Sequence, residues 1–273
     1  MSTFASSLAF IGGGNMAAAI IGGLIRSGRA AASILVVDPG EAQRAKLQAD
    51  FGVRTFAVAD AALSAAATIV WAVKPQFFQA AAAPCAPHVG NALQLSVMAG
   101  IRSDGVAKAT GADRVVRAMP NTPALIGEGI AGLFARDAVT AADRVEVEAV
   151  LAPTGRTLWV AREEDLDAVT ALSGSGPAYV FYFVEAMMQA AREMGLSEAQ
   201  GKALALATFA GATSLAQVSD EPPSVLRERV TSKGGTTHAA LVSLEASGVK
   251  AAFITALKAA QQRARELGDE FGA

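Results

Sequence analysis

The sequence predicts an α/β domain built on a doubly wound, mainly parallel sheet, followed by an all-α domain. Three observations carry that reading. Up to about residue 160, short β-branched runs alternate with Ala-rich, helix-compatible segments. Runs such as "ILVV" and "TIVWAV" lack polar alternation, as strands covered on both faces do. Beyond that point strand-like runs stop and apolar residues recur at helical spacing. A division into residues 1–162 and 163–273 follows.

Strands are expected at Leu8–Ile11, Ile34–Asp38, Arg54–Phe56, Thr68–Val73, Gln94–Met98, Val115–Met119 and Ile130–Phe134, with helices between most of them. In the second half, Val180, Phe181, Val184, Met187, Met188 and Ala191 share one helical stripe, read most simply as core. That helix is expected to end at Gly195. Ser197, with Gln200 three residues on, forms a capping box for an Ala-rich helix reaching about Val218. Prolines in "DEPP" break it. Further helices are expected at about Ser224–Val230, Thr237–Ala246 and Lys250–Leu267, the last stopping at Gly268. The many small side chains of this half point to packing against another subunit.

Composition narrows the function. The chain of 273 residues is 52% hydrophobic and 18% charged, which leaves room for a large buried surface. A net charge of −2 lacks the basic field that non-specific nucleic-acid binding needs. The single cysteine, Cys85, cannot form a disulfide within the chain and fits a reducing compartment. With no Cys/His cluster, no metal site is expected. The N-terminal stretch lacks the basic segment of a signal peptide, and apolar runs stop short of the ~18–20 residues that span a bilayer. The expectation is a cytoplasmic protein with no membrane partner.

The segment "AFIGGGNMA" places Gly12-x-Gly14-x-x-Ala17 after a strand and at the start of a helix. Gly12 allows the tight turn, Gly14 lets a pyrophosphate approach the backbone, and Ala17 permits close helix–strand packing. The helix start adds N–H groups and the positive end of a dipole. A second strand ends at Asp38, about 20 residues further on, which completes a Rossmann dinucleotide fingerprint. A carboxylate there accepts from a ribose 2′-hydroxyl and repels a 2′-phosphate, so Asp38 favours NADH over NADPH. In the alternative, Asp38 turns outward at Pro39–Gly40 and leaves Arg44 for a phosphate. The loops "VKPQ" (73–76), "MAGI" (98–101) and "MPNTPALIGEG" (119–129) fall at strand carboxyl ends, where such sheets bind ligands.

Two stretches in the second half gather small polar groups before helices. One is "ALSGSGPAY", with Ser175 between glycines and Pro177 suited to a first turn. The other is "VTSKGGTTHAAL", with Thr231, Ser232, Thr236 and Thr237 around Gly234–Gly235. Helix N-termini with flanking hydroxyls can bind a carboxylate without a permanent cation. Ordinary capping accounts for a single Ser or Thr there. Two glycines beside four hydroxyls exceed what a cap requires.

The order "FIGGGNM", "AVKPQ", "RAMPNTPALIGEG", "LSGSGPAYVF", "TSKGGTTHAAL" closely resembles the pyrroline-5-carboxylate reductase family, over nearly the whole chain. The resemblance implies reduction of the cyclic imine 1-pyrroline-5-carboxylate to L-proline with NADH or NADPH. It also implies a helical domain that forms a homodimer, often assembled further into a decamer. Carried onto this sequence, it places cofactor contacts at Gly12, Gly14, Asn15, Met16, Val73, Lys74, Pro75 and Asn121, beside Asp38. It places substrate at Ser175, Ser232, Gly234, Gly235, Thr236 and Thr237. Thr237 matches the threonine proposed to hydrogen-bond the ring nitrogen. Lys233, where relatives often carry proline, receives no role.

An imine can arrive protonated, so its reduction gives a neutral amine and needs no positioned acid of the kind a ketone reductase uses. A β-hydroxyacid dehydrogenase, the nearest rival, would want a lysine and an asparagine where Val180 and Val184 stand. A non-catalytic NAD(P)-responsive sensor or scaffold would keep the glycine fingerprint without needing the Gly/Ser/Thr stretches.

Overall fold

Alternate residues of the central strands point into two separate cores, one on each side of a sheet. The computed structural model describes residues 6–271. Its strands are β1 Leu8–Ile11, β2 Ile34–Val37, β3 Arg54–Phe56, β4 Thr68–Trp71, β5 Leu93–Ser96, β6 Val115–Met119, β7 Gly129–Ala135 and β8 Gly155–Trp159. They form one sheet in the order β3-β2-β1-β4-β5-β6-β7-β8. Every pairing is parallel except the antiparallel β6–β7 pair. The helices of this part are α1 Asn15–Arg26, α2 Glu41–Phe51, α3 Phe78–Cys85, α4 Ser103–Thr110, α5 Ala141–Leu151 and α6 Asp165–Val169.

Leu8 and Phe10 join Ile20, Ile21 and Leu24 of α1 and Val147 and Val150 of α5 in one core. Ala9 and Ile11 join Trp71, Phe78 and Val106 in the other. Burial on both faces is why these strands read as continuous apolar runs. Trp71 packs edge-on to Phe78 at 5.4 Å, and its indole N–H donates to the buried Gln94 side chain at 2.8 Å. Cys85 lies in the second core, where burial pushes its thiol up to about 11.

Seven strands match expectation within one or two residues; β8 was not expected. It alternates between half-buried and exposed positions and opens on Gly155, so its apolar content is diluted. Gly155 pairs with Gly129, and its φ is 132°. A Cβ there would lie 2.0 Å from the Gly129 carbonyl oxygen.

Residues up to Ser175, together with those from Ala260 onward, form one compact unit; Gly176–Ala259 forms a second. The second unit contains α7 Gly176–Glu193, α8 Glu198–Val218, α9 Pro223–Arg229, α10 Thr236–Ala246 and the beginning of α11 Val249–Phe271. The Ser197/Gln200 capping box forms as the sequence implies. The α7 stripe does not form a core within the chain. Val184 and Ala191 are buried, but Phe181 is 60% exposed, and Val180 and Met187 are exposed as well. A face of this width extends beyond what α8 alone covers. Helix α11 also runs through the expected stop at Gly268. That glycine is buried, and a Cβ on it would sit 3.1 Å from the Arg102 guanidinium, which pairs with Asp269 at 2.6 Å. It is there for close approach and not for termination.

One ionic brace sets the end of β6. Glu163 accepts the Ser103 N–H at 2.7 Å and the Ser103 hydroxyl at 2.6 Å, and pairs with buried Arg117 of β6 at 3.2 Å. At the start of α5, Asp143 forms a capping box with Thr140 and an ion pair with Arg114. Burial alone would push the Asp143 carboxyl up, but the Arg114 and Thr140 hydrogen bonds together hold it below its ordinary 3.8.

Two outcomes follow. Replacing Gly155 by Ala strains a positive-φ position and collides with β7, so urea unfolding should show a loss of more than about 2 kcal/mol. Because the folded-state value of Asp143 is depressed, its stabilisation is present above pH 3.8 and lost as pH falls through the lower folded value. In thermal melts across that range, Asp143→Asn should flatten the acid limb of the stability curve.

Candidate active site

The turn between β1 and α1 is built by three glycines with different tasks. Gly12 adopts φ 93° and donates its N–H to the Val37 carbonyl at 2.8 Å, tying the turn to β2. A Cβ there would meet the Ala72 carbonyl oxygen at 2.8 Å and the Val73 side chain at 2.9 Å. The β1–α1 and β4–α3 loops therefore touch at the carboxyl end of the sheet. At Gly13 a Cβ would strike Leu47 at 2.6 Å. At Gly14 it would meet nothing within 4 Å.

Gly14 is the N-cap of α1, with no side-chain cap and no acidic residue in the first turn. The first helical bond joins the Ala18 N–H to the Gly14 carbonyl at 2.9 Å. The N–H groups of Asn15, Met16 and Ala17 precede that ladder. An open approach over Gly14 and an uncapped helix start fit a dinucleotide pyrophosphate. Ala17 is fully buried, as close packing requires, and Asn15 is exposed.

The other expected cofactor positions fall around the same edge. Val73 and Pro75 are half-buried and Lys74 exposed in the loop after β4. Asn121 precedes the short 3-10 turn Thr122–Ile126, and its side-chain oxygen accepts the Ile130 N–H at 3.0 Å. The segment Thr170–Gly174 is a single π-helical turn, a form often found at functional sites. A Cβ on Gly174 would lie 2.6 Å from the Met119 side chain. Ser175, one residue on, thus stands near the carboxyl end of β6, its N–H donating to the Thr170 carbonyl at 2.8 Å.

The second polar stretch belongs to the other unit. Gly234 adopts φ 76°, and Gly235 is the N-cap of α10, again with no side-chain cap and no acidic residue in the first turn. The Gly235 N–H turns back to the Ser232 carbonyl at 3.0 Å. A Cβ on residue 235 would lie 2.5 Å from the Ser232 hydroxyl, so glycine there lets that hydroxyl keep its position. The first helical bond runs from the Ala239 N–H to the Gly235 carbonyl, which leaves the N–H groups of Thr236, Thr237 and His238 ahead of the ladder. Of the four hydroxyls, Thr231 has a local task, donating to the Arg227 carbonyl at 2.6 Å. Lys233 is exposed.

Two residues around the first turn escape sequence reading. Gly13 occupies the variable position of the fingerprint, yet its N–H donates to Asp38 at 2.8 Å. Gln43 of α2 donates to the Gly13 carbonyl. Nothing in a Gln on a polar helix signals that contact.

Residues 163–267 match a family model described as pyrroline-5-carboxylate reductase dimerisation, and residues 7–100 one described as NADP oxidoreductase, coenzyme F420-dependent. The chain is 43% identical over 267 residues to a pyrroline-5-carboxylate reductase of Pseudomonas aeruginosa, covering 97% of this chain and 98% of the relative.

The chain belongs to the pyrroline-5-carboxylate reductase family.

A relative from Haemophilus influenzae is 40% identical, with 95% of this chain and 97% of that one covered. Among solved structures, the pyrroline-5-carboxylate reductase of Coxiella burnetii superposes with a TM-score of 0.90 at 35% identity, covering 96% of this chain and 98% of that chain. The Plasmodium falciparum pyrroline carboxylate reductase, solved with NADP bound, gives 0.86 at 27%, covering 98% and 100%.

Since a Cβ at residue 14 touches nothing in the chain, Gly14→Ala should fold with unchanged melting temperature. It should still weaken dinucleotide binding by about tenfold or more, read by fluorescence titration with NADH, because the methyl occupies the approach over the turn.

Proposed function

We propose that this chain reduces 1-pyrroline-5-carboxylate to L-proline with NAD(P)H, the last step of proline biosynthesis. The observation that carries the proposal is the glycine-started, uncapped N-terminus of α10, bearing the Gly-Gly-Thr-Thr run of the stretch that resembles the family's. When bound, NAD(P)H supplies the hydride that adds to the imine carbon. The chain's own groups bind and orient.

On this reading the substrate carboxylate lies on the N–H groups of Thr236 and Thr237, with the Ser232 hydroxyl beside it. Gly234 and Gly235 keep the approach clear of side chains. Ser175 contributes a further polar contact. The Thr237 hydroxyl holds the ring nitrogen, so that the face of the imine carbon is fixed when hydride arrives, a matter of proximity and orientation. A protonated imine becomes a neutral amine on reduction, so no group has to deliver a proton to a developing anion. Gly12, Gly14, Asn15, Met16, Val73, Lys74, Pro75, Asn121 and Asp38 hold the cofactor. Val184, one of the positions where a β-hydroxyacid dehydrogenase would need a polar group, is a buried valine.

We assign residues 163–273 to substrate binding and homodimer formation, extending to a decamer. The exposed Phe181 and Tyr182 of α7 support that assignment, since apolar faces of this kind are usually covered. Among the described residues no single helix is long and apolar enough to cross a membrane. A cytoplasmic setting agrees with the lone buried cysteine.

Following NAD(P)H oxidation with 1-pyrroline-5-carboxylate and with 3-hydroxyacids tests the proposal. Turnover of the imine alone is expected. Cofactor binding with no turnover would replace it with a sensor role, and activity on the hydroxyacids with a dehydrogenase. Thr237→Ala should lower kcat by about 10- to 100-fold, the loss of one hydrogen bond to a charged group, with cofactor affinity unchanged.

A further inference from the structure

Two buried ionisable groups, one on β6 and one on α6, have no part in the proposed reaction. Arg117 of β6 is buried, and its Nε has no hydrogen-bond partner among the described residues. Asp167 of α6 is buried too, and among those residues its carboxylate interacts with charges but accepts no hydrogen bond. The charges that bear on it are Arg117, Arg102 just ahead of α4, and Arg265 and Asp269 of α11. Glu163, just ahead of α6, shares the same Arg117 at 3.2 Å. Burial pushes the Asp167 carboxyl above its ordinary range, against the pull of the three arginines. The folded-state value is raised, so the charged form costs the fold stability at neutral pH.

Asp167 lies in a short helix that runs without a break into the π-helical turn. Helix α6 ends at Val169, and the turn Thr170–Gly174 follows directly. Arg117 and Met119 are two residues apart on β6 and share one face of it. The Arg117 charge draws on Asp167, and the Met119 side chain lies 2.6 Å from where a Gly174 Cβ would be. The run from α6 to Ser175 is thus tied to one strand face at two points, one ionic and one by close approach.

We propose that Asp167 is a positioning residue for Ser175: its charge, set against Arg117, holds α6 and the π-helical turn in register along β6. The proposal rests on the reading of Ser175 as a substrate contact. A buried carboxylate without a hydrogen bond adds nothing to its own helix, so its contribution is the attraction it exerts across to β6. Neutralising it relieves the fold of a buried charge and loosens the turn that presents the Ser175 hydroxyl.

Asp167→Asn keeps the shape and removes the charge. At pH 7 it should melt no lower than the unaltered chain. Amide exchange at Thr170–Ser175 should still quicken by about fivefold or more at equal pH. KM for the imine should rise by about fivefold, with cofactor affinity unchanged. Ser175→Ala should raise KM as well, and the double variant should add nothing further. As pH falls through the Asp167 value, exchange at this segment of the unaltered chain should approach that of Asp167→Asn. A folded Asp167→Asn protein with unchanged exchange at Thr170–Ser175 would overturn the proposal, as would additive effects of the two substitutions on KM. A lower melting temperature with faster exchange throughout would overturn it too, making Asp167 a general support of the fold. Faster exchange confined to the segment, in a chain that does not turn over the imine, would support the positioning role and contradict the proposed reaction. The two failures are therefore distinct.

Discussion

A helix begins with backbone N–H groups that have no carbonyl to meet, and where no side chain closes them an anion can. Within this chain the two treatments stand side by side. Helices α5 and α8 are sealed by Thr140/Asp143 and Ser197/Gln200 boxes. Helices α1 and α10 start on Gly14 and Gly235, uncapped and with no acidic residue in the first turn. A carboxylate side chain there would compete for the same N–H groups. These two starts fall in the glycine fingerprint and in the Gly-Gly-Thr-Thr stretch, one suited to a pyrophosphate and one to a small carboxylate.

Much of the remaining structure keeps those starts in place. The β1–α1 turn is bonded to β2 through Gly12, packed against Ala72 and Val73, and held by Asp38 and Gln43. Together these contacts fix the backbone of the turn that is proposed to bind the cofactor. The Glu163 brace does similar work for the Ser-Gly turn. Just ahead of α6, Glu163 holds Ser103 of α4 and Arg117 of β6, and the π-helical turn after α6 seats Gly174 on Met119. In α10 the fold-back of Gly235 onto Ser232 leaves Thr236 and Thr237 as the first open donors.

Strands such as β1, β2 and β4 were legible because central parallel strands bury both faces and lose polar alternation. Strand β8 was not, since its half-buried residues alternate with exposed ones and it begins on a positive-φ glycine. Gly268 read as a helix stop because glycine signals termination far more often than a docking point for an arginine. The α7 stripe looked like core because a covered face and an interface face share one composition, and only the fold shows that Phe181 is exposed among the described residues. At the site, glycine and hydroxyl patterns were readable because backbone chemistry dictates them. The Gly13–Asp38 and Gln43–Gly13 bonds were not, since they join positions 25 and 30 residues apart that only folding brings together.

The most direct measurement of the central claim is a crystal structure of the chain with NAD⁺ and L-proline. The account predicts the pyrophosphate on the Asn15–Ala17 end of α1 and the proline carboxylate on the N–H groups of Thr236 and Thr237, with the ring nitrogen at the Thr237 hydroxyl. A proline carboxylate held by a cationic side chain away from α10, with those N–H groups bonded only to water, would contradict it.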